Sequence, residues 1–315
     1  MRILALGGTQ FVGRAFVDAA LARGHGVTVM HRGTSPLPEG WAVEELLGDR
    51  DGGLDVLGDR EWDAVYDSCG YVPRIVRASV EALKARCSRY LFISTISVYD
   101  LELNLQRPTP PLETEEVTNE SYGPLKVECE DAVISVFGER ATIVRPGLVV
   151  GPYDPTGRFC YWLNRFATFG TVLTPDIPGG PMQLIDARDL GAFCVTVLEQ
   201  NIGGIYNAAG EVSTFANMIE VCASLGSGTA VKVPPDVLEA HGVRLGQDLP
   251  LMWSPEAAKL LGFECEESLA VGLTRRPLRE SASDTLAWLL SLADDRPVGG
   301  FERTQEEAVL AAVMA

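Results

Sequence analysis

The chain has 315 residues, 46% hydrophobic and 22% charged, an ordinary globular balance with room for one large domain or two that share a core. Basic residues number 26 and acidic ones 43, and the net charge of −17 disfavours a nucleic-acid partner because such a surface repels phosphate backbones. The seven cysteines (Cys69, Cys87, Cys129, Cys160, Cys194, Cys222, Cys265) form no CxxC pair and the three histidines (His25, His31, His241) stand far apart, so no disulfide framework or zinc site is expected, and the reducing cytoplasm is the expected compartment.

Met1-Arg2 runs straight into Ile3-Leu4-Ala5-Leu6, a buried-strand pattern, so no leader peptide is expected. No apolar run approaches the roughly 18 residues of a membrane span. A strand at 2–6 is followed by a helix at 11–22, strands at 26–30, 42–47 and 64–67, and a helix at 73–86. Next come a strand at 90–94, a helix at 122–137, a strand at 141–144, a helix at 187–200 and a strand at 205–207. Strands alternating with helical patterns predict an α/β fold: a Rossmann-type, doubly wound parallel sheet. Residues 1–150 would form the Rossmann-type domain, completed by about 184–210.

The second half changes character. Residues 151–181 are rich in Gly, Pro and aromatics (Tyr153, Phe159, Tyr161, Trp162, Phe166, Phe169), read as an aromatic lid suited to a partly apolar carbonyl compound or as ordinary core. A helix is expected after Ser213-Thr214, a strand near 229–233, and a helix opened by Ser254-Pro255 and closed by Gly262. Helices at 278–292 and 302–315 flank a linker at 294–300. Segments 151–183 and 211–293 read as a smaller C-terminal substrate-binding lobe, with 294–315 as linker and terminal helix of no evident purpose.

Gly7-Gly8-Thr9-Gln10-Phe11-Val12-Gly13 links the first strand to the first helix. Glycines there allow a tight turn and close backbone approach, and the helix N-terminus offers N–H groups and a positive dipole end to a pyrophosphate. Gly7, Thr9, Gln10, Phe11, Val12 and Gly13 are therefore candidate cofactor contacts. The second strand ends His31-Arg32-Gly33, without the acid that holds an NAD ribose hydroxyl. Arg32 is available for a 2′-phosphate instead, so NADP(H) is favoured and NAD(H) is the alternative.

Tyr122-Gly123-Pro124-Leu125-Lys126 puts a tyrosine and a lysine four apart at the start of a helix, on one face, with Pro124 expected within the first turn. A tyrosine hydroxyl with a pKa of about 10 exchanges protons poorly near neutrality, and an adjacent ammonium favours its ionised form. Tyr122 then reads as general acid or base, with Lys126 as its electrostatic partner.

The motifs resemble the extended branch of the short-chain dehydrogenases/reductases, the NAD-dependent epimerase/dehydratase family. Gln10 replaces that branch's middle glycine, and atypical members with a Gly-Gly-Thr-x-Phe-Val-Gly loop, relatives of the chloroplast stem-loop-binding proteins among them, are the better match. The segment from Tyr90 to Tyr99 is similar to the family's catalytic strand, which makes Thr95 the residue that orients the substrate oxygen. Val144-Arg145-Pro146-Gly147 is similar to its segment beside the nicotinamide, and Gln183-Leu184-Ile185-Asp186 and Tyr206-Asn207-Ala208-Ala209 to later landmarks. The resemblance implies an adenine contact in Gly48-Asp49-Arg50, a pyrophosphate-side loop at Cys69-Gly70-Tyr71, and further cofactor contacts at His31, Arg32, Ser94, Tyr122, Lys126, Pro146, Gly147 and Val149. It also implies a homodimer through the helices at 73–86 and 122–137.

Ile96-Ser97 stands where sugar dehydratases carry an acidic pair, and Arg145-Pro146-Gly147-Leu148 lacks the epimerases' Asn. The first expectation is therefore an NADP(H)-dependent oxidoreductase acting on a small ketone or secondary alcohol. The alternative is an NAD-dependent sugar or nucleotide-sugar epimerase, and outside enzymes a catalytically silent or RNA-binding relative. Arg107 to Pro111, with Glu113, Glu115 and Glu116, reads as one wall of the site mouth.

Overall fold

Runs such as Ile3-Leu4-Ala5-Leu6 are apolar on both faces, which suits strands covered by helices on either side. The computed structural model describes residues 1–99, 114–177, 181–252, 262–292 and 296–314. In chain order they form β1 (Arg2–Leu6), α1 (Phe11–Ala22), β2 (Gly26–His31), β3 (Glu44–Leu47), β4 (Ala64–Asp67), α2 (Pro73–Leu83), β5 (Arg89–Ile93), α3 (Asn119–Phe137) and β6 (Ala141–Pro146). Next come β7 (Leu148–Val150), α4 (Arg158–Thr168), β8 (Thr171–Pro175), β9 (Pro181–Asp186), α5 (Ala187–Glu199), β10 (Gly204–Ala208), β11 (Val212–Thr214) and α6 (Phe215–Ala223). The remainder is β12 (Thr229–Val233), α7 (Pro235–Ala240), α8 (Glu266–Ala270), α9 (Leu278–Ser291) and α10 (Arg303–Met314). The chain divides into two compact units, Met1–Val149 with Ala187–Ala209 and Glu264–Thr274, and Val150–Asp186 with Gly210–Phe263 and Arg275–Ala315.

The first unit holds a seven-stranded sheet in the order β10-β6-β5-β4-β1-β2-β3, with every neighbouring pair parallel. Strand side chains alternate between its faces. Val65 joins a core with Val76, Val80 and Leu83 of α2 and Val133 and Phe137 of α3. Its neighbour Tyr66 points the other way and stacks on Phe16 of α1, ring centroids 3.7 Å apart. Helix α1 packs with α5 and α2 with α3, so both faces of the sheet are covered. Full burial of one such side chain contributes about 1.5–3 kcal/mol.

The second unit contains two small pairings, β9 with β11 antiparallel and β8 with β12 parallel. Its core centres on α4, whose Phe159, Tyr161, Trp162 and Phe166 are buried. Trp162 meets Phe215 edge-on at 5.3 Å and donates its indole N–H to the Pro250 carbonyl at 2.8 Å. These aromatics are core rather than an exposed lid, because α4 turns their face inward. The terminal helix also has a structural purpose. Glu306 of α10 is fully buried, accepts the Leu173 N–H at 2.9 Å, and pairs with Arg303 at 3.0 Å and Arg165 at 3.3 Å.

Several boundaries differ from those expected. Residues 264–274 belong to the first unit and the terminal helix to the second. Helix α4 and strands β7, β8, β9 and β11 occupy stretches whose Gly and Pro content hides them. Helix α3 begins at Asn119, because Thr118 and Ser121 form a capping box, so Pro124 lies inside the helix and not in its first turn. The missing N–H at Pro124 leaves the Glu120 carbonyl without its helical donor, and Glu120 is exposed to water. The expected helix from Ser254 and the segment 107–113 lie outside the described residues. Among the described residues, no helix is long and apolar enough to cross a membrane.

Candidate active site

At the carboxyl end of β1 the chain turns through Gly7 (φ +84°) and Gly8 (φ +131°), backbone conformations that L side chains rarely adopt. Gly13 of α1 closes on the same turn: a Cβ there would lie 2.7 Å from the Gly8 Cα. Gln10 sits at the N-cap but makes no side-chain cap, so its side chain leaves the first-turn N–H groups of α1 open. The backbone shape therefore fits a pyrophosphate. The Gln10 side chain turns away and donates to Ser35 Oγ at 2.6 Å. Phe11 opens the helix with φ +38°, Thr9 is half-buried, and the Val12 carbonyl accepts the Tyr66 hydroxyl at 3.4 Å.

The residues expected around the adenosine half are placed differently from one another. Asp49 is exposed, and its carboxylate accepts the Asp51 N–H at 2.9 Å. Arg50 is turned inward. It grips Asp67 through both terminal nitrogens, at 2.7 and 2.9 Å, and also donates to Ser79. Its fork thus holds the end of β4 instead of standing open to an adenine. His31 is buried: Nδ1 accepts the Gly33 N–H at 3.2 Å, and Nε2 lies 2.9 Å from Glu45 Oε1. An acceptor role for Nδ1 makes Nε2 the protonated nitrogen of the neutral ring. Arg32 is exposed and no described residue pairs with it.

Around the expected catalytic residues the packing is close. Thr95 lies two residues past the end of β5 and caps a short 3-10 turn, accepting the Ser97 N–H and donating to Ser97 Oγ, both at 3.1 Å. Helix α3 presses on that turn at Gly123, where a Cβ would lie 2.1 Å from the Ser97 carbonyl oxygen. Any side chain at 123 would push Tyr122, its neighbour, away from Thr95. Tyr122 is half-buried, with its ring 6.4 Å from that of Tyr71.

One turn on, Lys126 is 2% exposed and donates to the carbonyls of Gly70 at 2.8 Å and Ile93 at 2.6 Å. Its ammonium also lies 4.1 Å from the centre of the Phe92 ring. Burial pulls it down from the ordinary lysine value to about 8. Cys69, in the same loop as Gly70, packs against the phosphate turn, since a Cβ on Gly7 would lie 3.3 Å from its own.

Ser94 donates to Glu130 at 2.5 Å, and Glu130 takes a bidentate grip from Arg145 at 2.9 and 2.6 Å. Arg145 donates onward to the Tyr99 hydroxyl at 3.0 Å, which donates to Asn207 at 2.7 Å. This buried network fixes the carboxyl ends of β5, β6 and β10, and it borders a cleft of about 610 Å³ walled also by Ile205 and Ser268. Ser94 is thereby committed to the network. Pro146 is buried at the end of β6, and the Gly147 N–H donates to the Ala208 carbonyl at 2.9 Å. Val149 is half-buried. Glu130 is a site residue that the motifs do not single out, although a carboxylate four residues after Lys126 on an otherwise apolar helix face is a usable signal. Among the described residues, no group of three or more His, Cys, Asp or Glu side chains is placed to hold a metal.

A parallel sheet in this strand order, a glycine turn leading into α1, and a Tyr-x-x-x-Lys helix against the end of β5 define a Rossmann-type protein of the short-chain dehydrogenase/reductase kind. Residues 3–209 match the model of the NAD dependent epimerase/dehydratase family, and the chain belongs to that family. It is 28% identical over 309 residues to the chloroplast stem-loop binding protein of 41 kDa b of Arabidopsis thaliana, covering 87% of this chain and 77% of that one. In fold it is similar to dTDP-glucose 4,6-dehydratase of Bacillus anthracis, with TM-score 0.67, 16% identity, and 95% and 98% of the two chains covered. The UDP-glucuronic acid 4-epimerase of Bacillus cereus gives TM-score 0.65 at 16% identity, with 93% and 100% covered. The family favours the epimerase alternative over the NADP(H)-dependent ketone reduction expected first, and it carries no support for an NADP(H) preference.

Proposed function

We propose that this chain holds a nicotinamide dinucleotide along the 7–13 turn and uses Tyr122, Lys126 and Thr95 to oxidise and re-reduce one alcohol carbon of a sugar or nucleotide sugar. A nicotinamide bound there would supply reversible hydride transfer at that carbon. Tyr122 takes the hydroxyl proton as the carbon is oxidised and gives it back on reduction. The Lys126 ammonium, held by two backbone carbonyls, favours the ionised phenol during that exchange. Thr95 orients the substrate oxygen by trading its bond to Ser97 for one to the substrate.

The observation that carries this reading is the contact of Gly123 with the Ser97 carbonyl, which brings Tyr122 beside the turn that Thr95 caps. Family membership supports the same chemistry, and similar folds were crystallised with NAD. Ile96-Ser97, lacking an acid, argues against dehydration. The net charge of −17 argues against the stem-loop ligand that the Arabidopsis relative's name describes. A homodimer through α2 and α3 belongs to the same proposal, and light scattering tests it.

Arg32, exposed and without a partner among the described residues, favours a second reading, an NADP(H)-dependent reductase of a small ketone. The two readings separate when purified protein is denatured and the released nucleotide is identified by mass. Retained NAD⁺ supports the epimerase, because such an enzyme gains by keeping its cofactor. Nucleotide-free protein that binds NADPH over NADH about tenfold, with the preference lost in Arg32→Ala, supports the reductase.

A further inference from the structure

The 3-10 turn Ile96–Val98, capped by Thr95, sets where the Thr95 hydroxyl stands, and one buried ion pair holds the chain at both ends of that turn. On the near side, Ser94 donates to Glu130 Oε1 at 2.5 Å. On the far side, Tyr99 closes the turn, and its hydroxyl accepts Arg145 Nη1 at 3.0 Å. Glu130 and Arg145 are themselves joined twice, Nε to Oε1 at 2.9 Å and Nη2 to Oε2 at 2.6 Å. Glu130 belongs to α3, where Tyr122, Lys126 and Glu130 recur at helical spacing and so line one face. Between the two held ends, the Ser97 carbonyl meets the same helix at Gly123.

We propose that Glu130 and Arg145 are positioning residues. The pair fixes the Thr95 turn against the helix that carries Tyr122, and so sets the spacing between the group that orients the substrate oxygen and the group that exchanges its proton. The inference deepens the reading given under Proposed function and rests on it. Its physical basis is rigidity. A carboxylate and a guanidinium joined by two bonds have one relative geometry, which a single hydrogen bond does not impose. Buried, such a pair adds little net stability over an apolar pair of the same volume. What it adds here is a fixed register among α3, β6 and the turn. Register matters for rate, because a misplacement of about 1 Å can cost on the order of a hundredfold. Neither residue needs to touch the substrate, since both act through Thr95.

Glu130→Ala or Arg145→Ala would strip a buried charge of its partner and lower stability whatever the pair does for the site. The test therefore frees the ends of the turn singly, with Ser94→Ala and Tyr99→Phe, each alone and combined with Thr95→Ala. Turnover is measured on hexose nucleotides at saturating NAD⁺, and the NAD⁺ dissociation constant by calorimetry. Each end variant is expected to slow wild type about tenfold, to slow Thr95→Ala by less than about twofold, and to leave NAD⁺ affinity within about twofold. A bond that only supports the fold would cost the same factor in both backgrounds, and that result would overturn the proposal. Unchanged turnover in both end variants would overturn it as well, as would weakened NAD⁺ binding in place of slowed turnover. Wild type that converts no hexose nucleotide removes the reading on which the inference rests, and the inference with it.

Discussion

Two buried charges, one in each unit, are treated in opposite ways. Glu306 lies at zero exposure among two arginines and a backbone N–H, so its charge is met by charge. Lys126 is 2% exposed, yet among the described residues no carboxylate comes within ion-pair distance of it: two backbone carbonyls accept its ammonium, the Phe92 and Tyr71 rings lie over it, and Asp67 and Glu130 act on it from further away. Burial accordingly pulls Lys126 down to about 8. A matched buried pair holds a fold together, whereas an ammonium kept short of a counter-ion has electrostatic influence left for a neighbour. In the proposed mechanism that neighbour is Tyr122, one turn away on the same helix. On that proposal the first unit keeps a charge for chemistry, whereas the second uses its own to dock α10.

Substitutions at the two places should therefore fail in different ways. The largest effect is expected from Tyr122→Phe, which removes the proposed proton-transfer group without touching the 7–13 turn. Turnover should fall by roughly a hundredfold to ten-thousandfold, with the NAD⁺ dissociation constant unchanged in calorimetry. Glu306→Ala leaves buried Arg165 and half-buried Arg303 without their carboxylate and should cost about 3–5 kcal/mol of stability in denaturant titration. If Glu306→Ala instead unfolded at the wild-type midpoint, the contrast between the two charges would be lost.

The titration of Lys126 gives a smaller, signed effect. Its folded value of about 8 lies below the ordinary 10.5, so between those two pH values the unfolded chain binds more protons than the folded one. Below about pH 8 the cost of burying the ammonium is carried in full, and it is relieved as pH rises toward 10.5. The unfolding free energy of wild type relative to Lys126→Met should therefore increase by about 1–3 kcal/mol across that window. A flat difference would mean that the amine is not desolvated. Smallest is Gly13→Ala, whose Cβ must push the Gly8 backbone aside. It should weaken NAD⁺ about tenfold in the same calorimetry and cost about 1 kcal/mol of stability. Unchanged NAD⁺ binding in that variant would move the pyrophosphate away from the turn.

The same contrast explains what can be read from the sequence. Strand β1, the glycine turn and helix α1 are legible because local rules fix them: an apolar run, positive-φ glycines, and a helix-forming stretch after them. Tyr122 and Lys126 are legible because four-residue spacing on a helix is itself geometry. The partners of a side chain are set by tertiary contacts, which local rules do not reach. Arg50 reads as free for an adenine, and only the fold brings Asp67 to it from 17 residues away. Nothing near Glu306 in sequence points to Arg165, which lies in α4, a helix concealed by the surrounding Gly and Pro. Pattern rules start helix α3 three residues late, because the Thr118–Ser121 capping box uses Ser where Glu or Gln is the usual signal.

The central claim, that Tyr122 moves a proton while a hydride leaves one carbon and returns to it, is tested most directly by product analysis. Wild type and Tyr122→Phe, each supplied with NAD⁺, are incubated with a panel of hexose nucleotides. Products are identified by NMR while nicotinamide absorbance is followed in the same tube. Wild type should interconvert at least one of them with no net change in reduced nicotinamide, and Tyr122→Phe should be slower by about a hundredfold or more. Conversion that proceeds only with stoichiometric consumption of NADPH, or a Tyr122→Phe variant as fast as wild type, would contradict it.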